Sequence, residues 1–146
     1  MLKNIFEERS NWAIVFLRLG IGIIFLIHGL GKLFSIGPAA LGLETTAGFL
    51  TSIGVPAALF FAWVVALVET FGGLFVILGL LTRYSALLLT VDMIIAILLV
   101  HLPNGFVVAN GGYEFALLLL LGSVALLFTG AGEKLSLERK LFEREF

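Results

Sequence analysis

Seven ionisable side chains stand within or at the ends of long apolar stretches of this chain: Arg18, His28, Lys32, Glu69, Asp92, His101 and Glu114. A charge at the centre of a lipid bilayer costs roughly 2.5–3.5 kcal/mol even on the milder insertion scale. Such groups must face one another or a shared polar site rather than lipid. The chemistry open to them is ion pairing, hydrogen bonding to a polar ligand, and proton exchange by imidazole, whose unperturbed pKa is about 6.5. The stretch from Asp92 to Leu121 concentrates these possibilities. An apolar helix carries Asp92 and ends on His101; it breaks at Pro103-Asn104-Gly105, and a second apolar helix begins at Gly112-Tyr113-Glu114.

Four apolar stretches position these groups, at about 12–34, 56–81, 84–102 and 113–130, each near the roughly 20 residues a bilayer helix needs. The composition demands lipid. The chain is 60% hydrophobic and 13% charged, with mean hydropathy +1.14, whereas soluble domains are about 45–50% apolar and about 25% charged. The expected architecture is an all-α membrane protein: one domain over residues 1–146, folded as an antiparallel bundle of four transmembrane helices. The connection Leu81-Thr82-Arg83-Tyr84 is short enough to make the second and third helices antiparallel neighbours. In the longest loop, 35–55, Leu43, Ala47, Leu50 and Ile53 recur at helical spacing opposite Glu44, Thr45, Thr46 and Ser52. This predicts a short amphipathic helix on the membrane or capping the bundle. Residues 131–146 read as an amphipathic surface tail. Lys3, Arg9, Arg83, Lys134, Arg139, Lys140 and Arg144 all fall on one side of this arrangement. An excess of Lys and Arg marks the cytoplasmic face, so both termini are expected there, in a plasma (inner) membrane.

At about 100° per residue, Arg18, Gly22, Phe25, Gly29 and Lys32 share one stripe of the first helix, with His28 at its edge. Ala62, Ala66, Glu69, Gly73 and Val76 form the matching stripe of the second. Counting depth from the helix starts divides the groups. Arg18, Glu69 and Asp92 form an expected inner ion-pair network. His28 and His101, each about 25 Å along its helix, form an outer cluster with Lys32, Tyr113 and Glu114. The plain reading of the inner cluster is a structural ion pair; that of the outer one is helix capping, which suits a carboxylate at a helix N-terminus such as Glu114. The sharper reading is a ligand cavity shared by His28 and His101. Its walls would come from Phe25, Trp63, Phe106, Tyr113 and Phe115, and residues 103–112 would close it outward. A quinone would suit such a cavity. Haem is not expected, because the third helix is bulky near His101, and neither is a metal, because no local ligand spacing supports one.

Several classes are excluded or disfavoured. Net charge −1 lacks the clustered basic face that nucleic acid requires. The absence of cysteine excludes a dithiol relay, a disulfide framework and an iron–sulfur cluster. No GxxxG spacing argues for a homodimer, so oligomerisation is left open. Spacing alone assigns no catalytic residue.

Arg18-Leu19-Gly20 with His28-Gly29-Leu30-Gly31-Lys32-Leu33-Phe34 resembles the DoxX family. So do Ala66-Leu67-Val68-Glu69 with Gly72-Gly73, Gly79-Leu80-Leu81-Thr82-Arg83, and Gly105-Phe106 with Gly112-Tyr113-Glu114-Phe115. The resemblance spans about residues 12–132. It implies a four-helix inner-membrane protein of bacteria or archaea, a family whose members are provisionally named oxidoreductases. DoxD relatives are linked with thiosulfate:quinone oxidoreduction, and others with membrane redox assemblies or quinone stress. The resemblance carries over no catalytic residue, and thiol chemistry would have to sit in a partner protein. Two functions stand against each other: a subunit of a quinone-linked membrane oxidoreductase assembly with soluble or membrane redox partners, and a structural or chaperone-like membrane protein whose charges only hold the bundle. A transporter is a third, and would need oligomerisation to form a pathway.

Overall fold

The computed structural model describes the backbone of residues 2–142 and the side chains of residues 11–142. The side chains of Lys3 and Arg9, and all of Arg144, which enter the orientation argument, lie outside that description. Helix α1 runs Leu2–Phe34, α2 Leu43–Ser52, α3 Ala58–Leu78, α4 Thr82–Ala96, α5 Glu114–Thr129 and α6 Leu137–Phe142. No strand occurs among the described residues. Beyond Ala96 the α4 axis continues as a π-helical turn, Ile97–His101, and a 3₁₀ turn, Leu102–Asn104.

Three segments are long and apolar enough to cross a membrane: Asn11–Phe34, Ala58–Leu78 and Thr82–Asn104. The fourth, α5, is apolar but has 16 residues, about 24 Å at 1.5 Å per residue, less than the roughly 30 Å hydrocarbon core. Its N-terminus waits for Gly112 to be threaded against Phe106. The Tyr113 and Glu114 N–H groups bond to the Gly105 and Phe106 carbonyls at 3.0 and 2.9 Å.

Helices α1, α3, α4 and α5 close a ring in which each packs on two neighbours, and α2 lies on α3 and α1. The core at its centre includes Phe25, Val76, Leu89, Met93, Leu119 and Leu126. Large apolar side chains such as Phe16, Phe60, Leu118 and Phe128 face outward, which suits lipid and not water. The closest seam is α1 against α3. A Cβ on Gly22 would stand 2.7 Å from the Gly73 carbonyl oxygen, and one on Gly73 would stand 2.6 Å from the Leu26 nitrogen. Small residues here let the two backbones touch, as membrane helix packing favours. All five residues of the stripe expected on this helix, Ala62 to Val76, are buried.

The C-terminal tail expected as an amphipathic surface helix is described as far as Phe142. Its α6 exposes Arg139, Lys140 and Leu141, and the described part is tied under the ring. Ser136 Oγ donates to the Gly79 carbonyl at 3.1 Å, and the Glu138 N–H donates to the same oxygen at 2.9 Å. Glu138, 0% exposed, accepts from the Thr82 N–H at 3.3 Å. Its carboxylate thus sits on the N-terminus of α4, where free N–H groups and the helix dipole favour a negative charge.

Candidate functional site

Arg18 does not join Glu69 and Asp92. Its guanidinium spends all five N–H bonds on main-chain carbonyls. Nε donates to Val76 (2.9 Å) and Nη2 to Ile77 (2.8 Å), at the end of α3. Nη1 donates to Ala131 (2.8 Å) and Lys134 (3.2 Å), and Nη2 also to Leu135 (2.8 Å). Buried Glu138 provides the counter-charge. The expected network fails on depth. Val76 stands seven residues along α3 from Glu69, about 10 Å, and Asp92 lies ten residues into α4 from Thr82, about 15 Å. Gly79 makes room for the arrangement. It ends α3 in the left-handed region at φ 63, the Leu80 N–H returns to the Phe75 carbonyl at 2.9 Å, and a Cβ there would meet Arg18 Nη2 at 2.5 Å.

Lys32 takes the place expected of Arg18. Sequence counting sets it at the helix boundary among the outer residues, yet its ammonium pairs with the Glu69 carboxylate on α3. Glu69 is 5% exposed. Gly29, one turn before Lys32, lies against Thr70 with no space for a Cβ, so α1 and α3 are close enough for the pair to form. Asp92 interacts electrostatically with both Glu69 and Lys32, and its Oδ2 is buried without a hydrogen-bond partner among the described residues. Ionised, that oxygen accepts a hydrogen bond; protonated, the carboxyl can donate one.

These three residues form one polar end of a cavity of about 560 Å³, within the range of small-molecule sites, about 300–1,000 Å³. His28 and His101 line the same cavity, from α1 and from the π-helical turn. Phe25, Phe49, Leu50, Met93, Phe115 and Leu119 give it apolar walls. The expected outer cluster divides. Tyr113 and Glu114 do not line the cavity. Tyr113 meets Phe106 edge to face at 5.3 Å, and Glu114 Oε1 accepts the Val108 N–H at 2.7 Å. Glu114 therefore ties the 105–112 loop to the start of α5 rather than facing a ligand. Of the expected walls, Phe25 and Phe115 are present, whereas Trp63 is 48% exposed on the outer surface of α3. The loop contributes Val108, Gly111 and Gly112, but much of the closure comes from α2 through Thr45, Thr46, Phe49, Leu50 and Ile53.

His101 is positioned by the break in its helix. A π-helical turn widens the spiral by one residue and often marks a functional position. Here it ends on His101, whose Nδ1 lies 2.8 Å from the Gly111 carbonyl oxygen. Asn104 Nδ2 donates to the Val100 carbonyl at 3.0 Å and secures the following turn. His28 sits at the cavity's exposed margin and makes no hydrogen bond among the described residues. Among the described residues, no three His, Cys, Asp or Glu side chains converge as metal ligands. Sequence reasoning misses the roles of Lys32 and Glu138. It anticipates α2 as a helix on the membrane or capping the bundle, and the structure sets that helix over the cavity.

The DoxX family profile matches residues 13–102. An uncharacterised membrane protein of Mycobacterium tuberculosis is 39% identical over 142 residues, covering 90% of this chain and 83% of that protein. A Bacillus subtilis protein named "Putative oxidoreductase CatD" is 42% identical over 115 residues, covering 79% and 77%. An uncharacterised protein of Haemophilus influenzae is 32% identical over 145 residues, covering 97% and 99%. No solved structure matches significantly. With a profile matching most of its length and full-length relatives at this identity, the chain belongs to the DoxX family of membrane proteins.

Proposed function

We propose that this protein is a small membrane subunit of a quinone-linked oxidoreductase assembly, and that its cavity holds the ring of the ligand. The observation that carries the reading is the single cavity with apolar walls into which His28, His101, Asp92 and the Lys32–Glu69 pair all open. An apolar volume with a few convergent polar groups is the usual form of a small-molecule site. The polar groups fit such a ligand: two imidazoles, each able to donate to a ring carbonyl or accept from a ring hydroxyl, and the Asp92 carboxyl, whose Oδ2 has no hydrogen-bond partner among the described residues. A bound quinone would supply two-electron, two-proton redox chemistry. The chain's own residues would orient the ring, keep water from it and hold protons at the histidine nitrogens. The oxidoreductase name of the Bacillus subtilis relative supports the same assignment. Without cysteine, any thiol step falls to a partner protein.

In this reading the four apolar helices cross the plasma membrane as an antiparallel bundle, with both termini in the cytoplasm and the histidines in the outer half. The competing reading is a purely structural protein, and it is favoured by one observation: Arg18 spends all five N–H bonds, and Lys32 its charge, on partners within the fold. The two separate in one experiment. The protein is purified in native lipid discs, and the co-purifying quinones are extracted and identified by mass spectrometry. Decylubiquinone is then titrated into quinone-free discs and the melting temperature followed. Retention of quinone above the level of empty discs, with saturable stabilisation that weakens in Phe115→Ala, supports the redox reading. Neither retention nor stabilisation by either redox form establishes the structural one.

A further inference from the structure

We propose that the cavity opens sideways into lipid through a slit between α2 and the α4–α5 side of the bundle, and that it takes a quinone whose apolar chain leaves through that slit; this rests on the ligand-site reading above.

Two lips define the slit. Among the described residues that line the cavity, all those exposed, His28 apart, belong to one of two walls. The first is α2 with its approach: Leu41, Thr45, Phe49 and Ile53, each one helical turn from the next. The second is the α4 axis with the following loop and α5: Ile95, Leu99, Val108, Gly111 and Phe115. Ile95 and Leu99 are 51% and 49% exposed. A side chain that lines a cavity and still has half its surface free has one side in the cavity and one outside the bundle. These residues therefore mark the cavity's edge. Helix α2 packs on α3 and α1, so it roofs the cavity from their side, and the opening lies on its α4 and α5 side.

Polarity falls from the inside of the cavity to its lips. On α4 one stripe runs from Asp92 through Ala96 to Leu99, all of them lining residues. It begins at a carboxyl with a buried oxygen and ends at a half-exposed leucine. Among the lip residues Thr45 alone carries a polar side chain. An apolar rim is costly against water but not against lipid chains, which are as apolar as leucine. Depth agrees. Ile95 and Leu99 lie nine and five residues before the end of Thr82–Asn104, a segment long and apolar enough to cross a membrane. That places them roughly 8–14 Å inside its end, beside Ile94 and Leu98, which are exposed and apolar as well.

Size identifies what passes the lips. About 560 Å³ holds a substituted ring, as small-molecule sites of about 300–1,000 Å³ do, but not a long isoprenoid chain with it. The chain must leave, and Phe49, Ile53, Ile95 and Leu99 give it an apolar exit. Past them it lies in lipid, where it lay before binding. Counted per lipid, extra chain length therefore neither adds to the affinity nor subtracts from it.

The test uses the full chain in discs of phosphatidylethanolamine and phosphatidylglycerol containing no quinone. The bare dimethoxy-methyl-benzoquinone ring, decylubiquinone and a ubiquinone with a longer isoprenoid chain are titrated, with dissociation constants expressed per lipid. The two chained quinones are expected to agree within about three-fold. Leu99→Trp fills the slit and should weaken both by about ten-fold or more, while the bare ring stays within about three-fold of its native value. Leu98→Trp, exposed beside it but outside the lining, should change none of the three. A readout free of any variant's folding comes from decylubiquinone carrying a diazirine midway along its chain. It should label peptides containing Ile53 and Leu99, and unlabelled decylubiquinone should compete. Affinity falling about ten-fold on lengthening the chain, equal weakening of ring and chained quinones by Leu99→Trp, or labelling without competition overturns the slit and leaves the ligand site standing. Binding of none of the three removes the ligand-site reading itself, and this inference with it.

Discussion

Lys32 and Glu69 meet across the α1–α3 seam as a buried ion pair, 37 positions apart in sequence. The pair makes a local prediction. Lys32→Ala leaves a carboxylate buried with no cation, and breaking one side of such a pair costs about 3–5 kcal/mol. The double variant Lys32→Met, Glu69→Met removes both charges at similar volume and should lie close to the native protein in stability. Melting temperatures of the two variants in one detergent check this. Equal destabilisation of the single and double variants would show that the pair is not a unit.

Arg18 should tolerate no substitute, not even lysine. Its five bonds need the planar fork of a guanidinium, and an ammonium with three hydrogens cannot serve the two carbonyls at the end of α3 and the three of the tail together. Hydrogen bonds to a charged donor contribute about 1.5–3 kcal/mol each. Arg18→Lys is therefore expected to lose at least about 3 kcal/mol. In a chain ending at Gly130 the same substitution should cost clearly less, because three of the five acceptors are already gone. A double-mutant cycle on thermal unfolding measures the coupling.

The glycines of α1 should separate into two classes. Gly29→Ala collides with Thr70 and should loosen the α1–α3 seam by at least about 1–3 kcal/mol. Gly20→Ala meets nothing within 4 Å. It replaces a flexible residue by a better helix former and should be neutral or stabilising by up to about 1 kcal/mol. Expression level and melting temperature of the two variants report the contrast.

Topology has a clean assay, because the chain contains no cysteine. Val107→Cys and Lys140→Cys both introduce exposed thiols. In sealed inverted and right-side-out vesicles a membrane-impermeant maleimide should label them from opposite faces, with position 140 cytoplasmic. Labelling of both from one face would require an even number of crossings between them and would overturn α5 as a single span.

The apolar helices and α2 are readable in the sequence because each depends on composition or period, properties carried by neighbouring residues. The inward stripe on α3 is readable for the same reason. Which cation meets which carboxylate is not. Arg18 and Lys32 share one stripe of α1, and only the axial stagger between helices decides which of them reaches Glu69. Arg18 bonds main-chain carbonyls, which every residue possesses, so no sequence pattern marks its partners. The π-helical turn before His101 is hidden in a run of apolar residues with no punctuation until Pro103. Counting residues puts His28 and His101 at one depth, but it assigns Tyr113 and Glu114 to them as well. The loop after Gly105 turns those two side chains to other work.

The tail beneath the ring also sets the order in which the protein is built. Arg18 leaves the ribosome 113 residues before Ala131. At about 5–20 residues per second that interval is on the order of ten seconds. Val76 and Ile77 arrive partway through; the carbonyls of Ala131, Lys134 and Leu135 come last of the five. A nascent first helix must therefore carry an incompletely bonded guanidinium into the membrane and hold it until residues 131–135 fold under. A chain cut before Ala131 is thus more than a shortened one: it keeps a buried charge with three of its five acceptors missing.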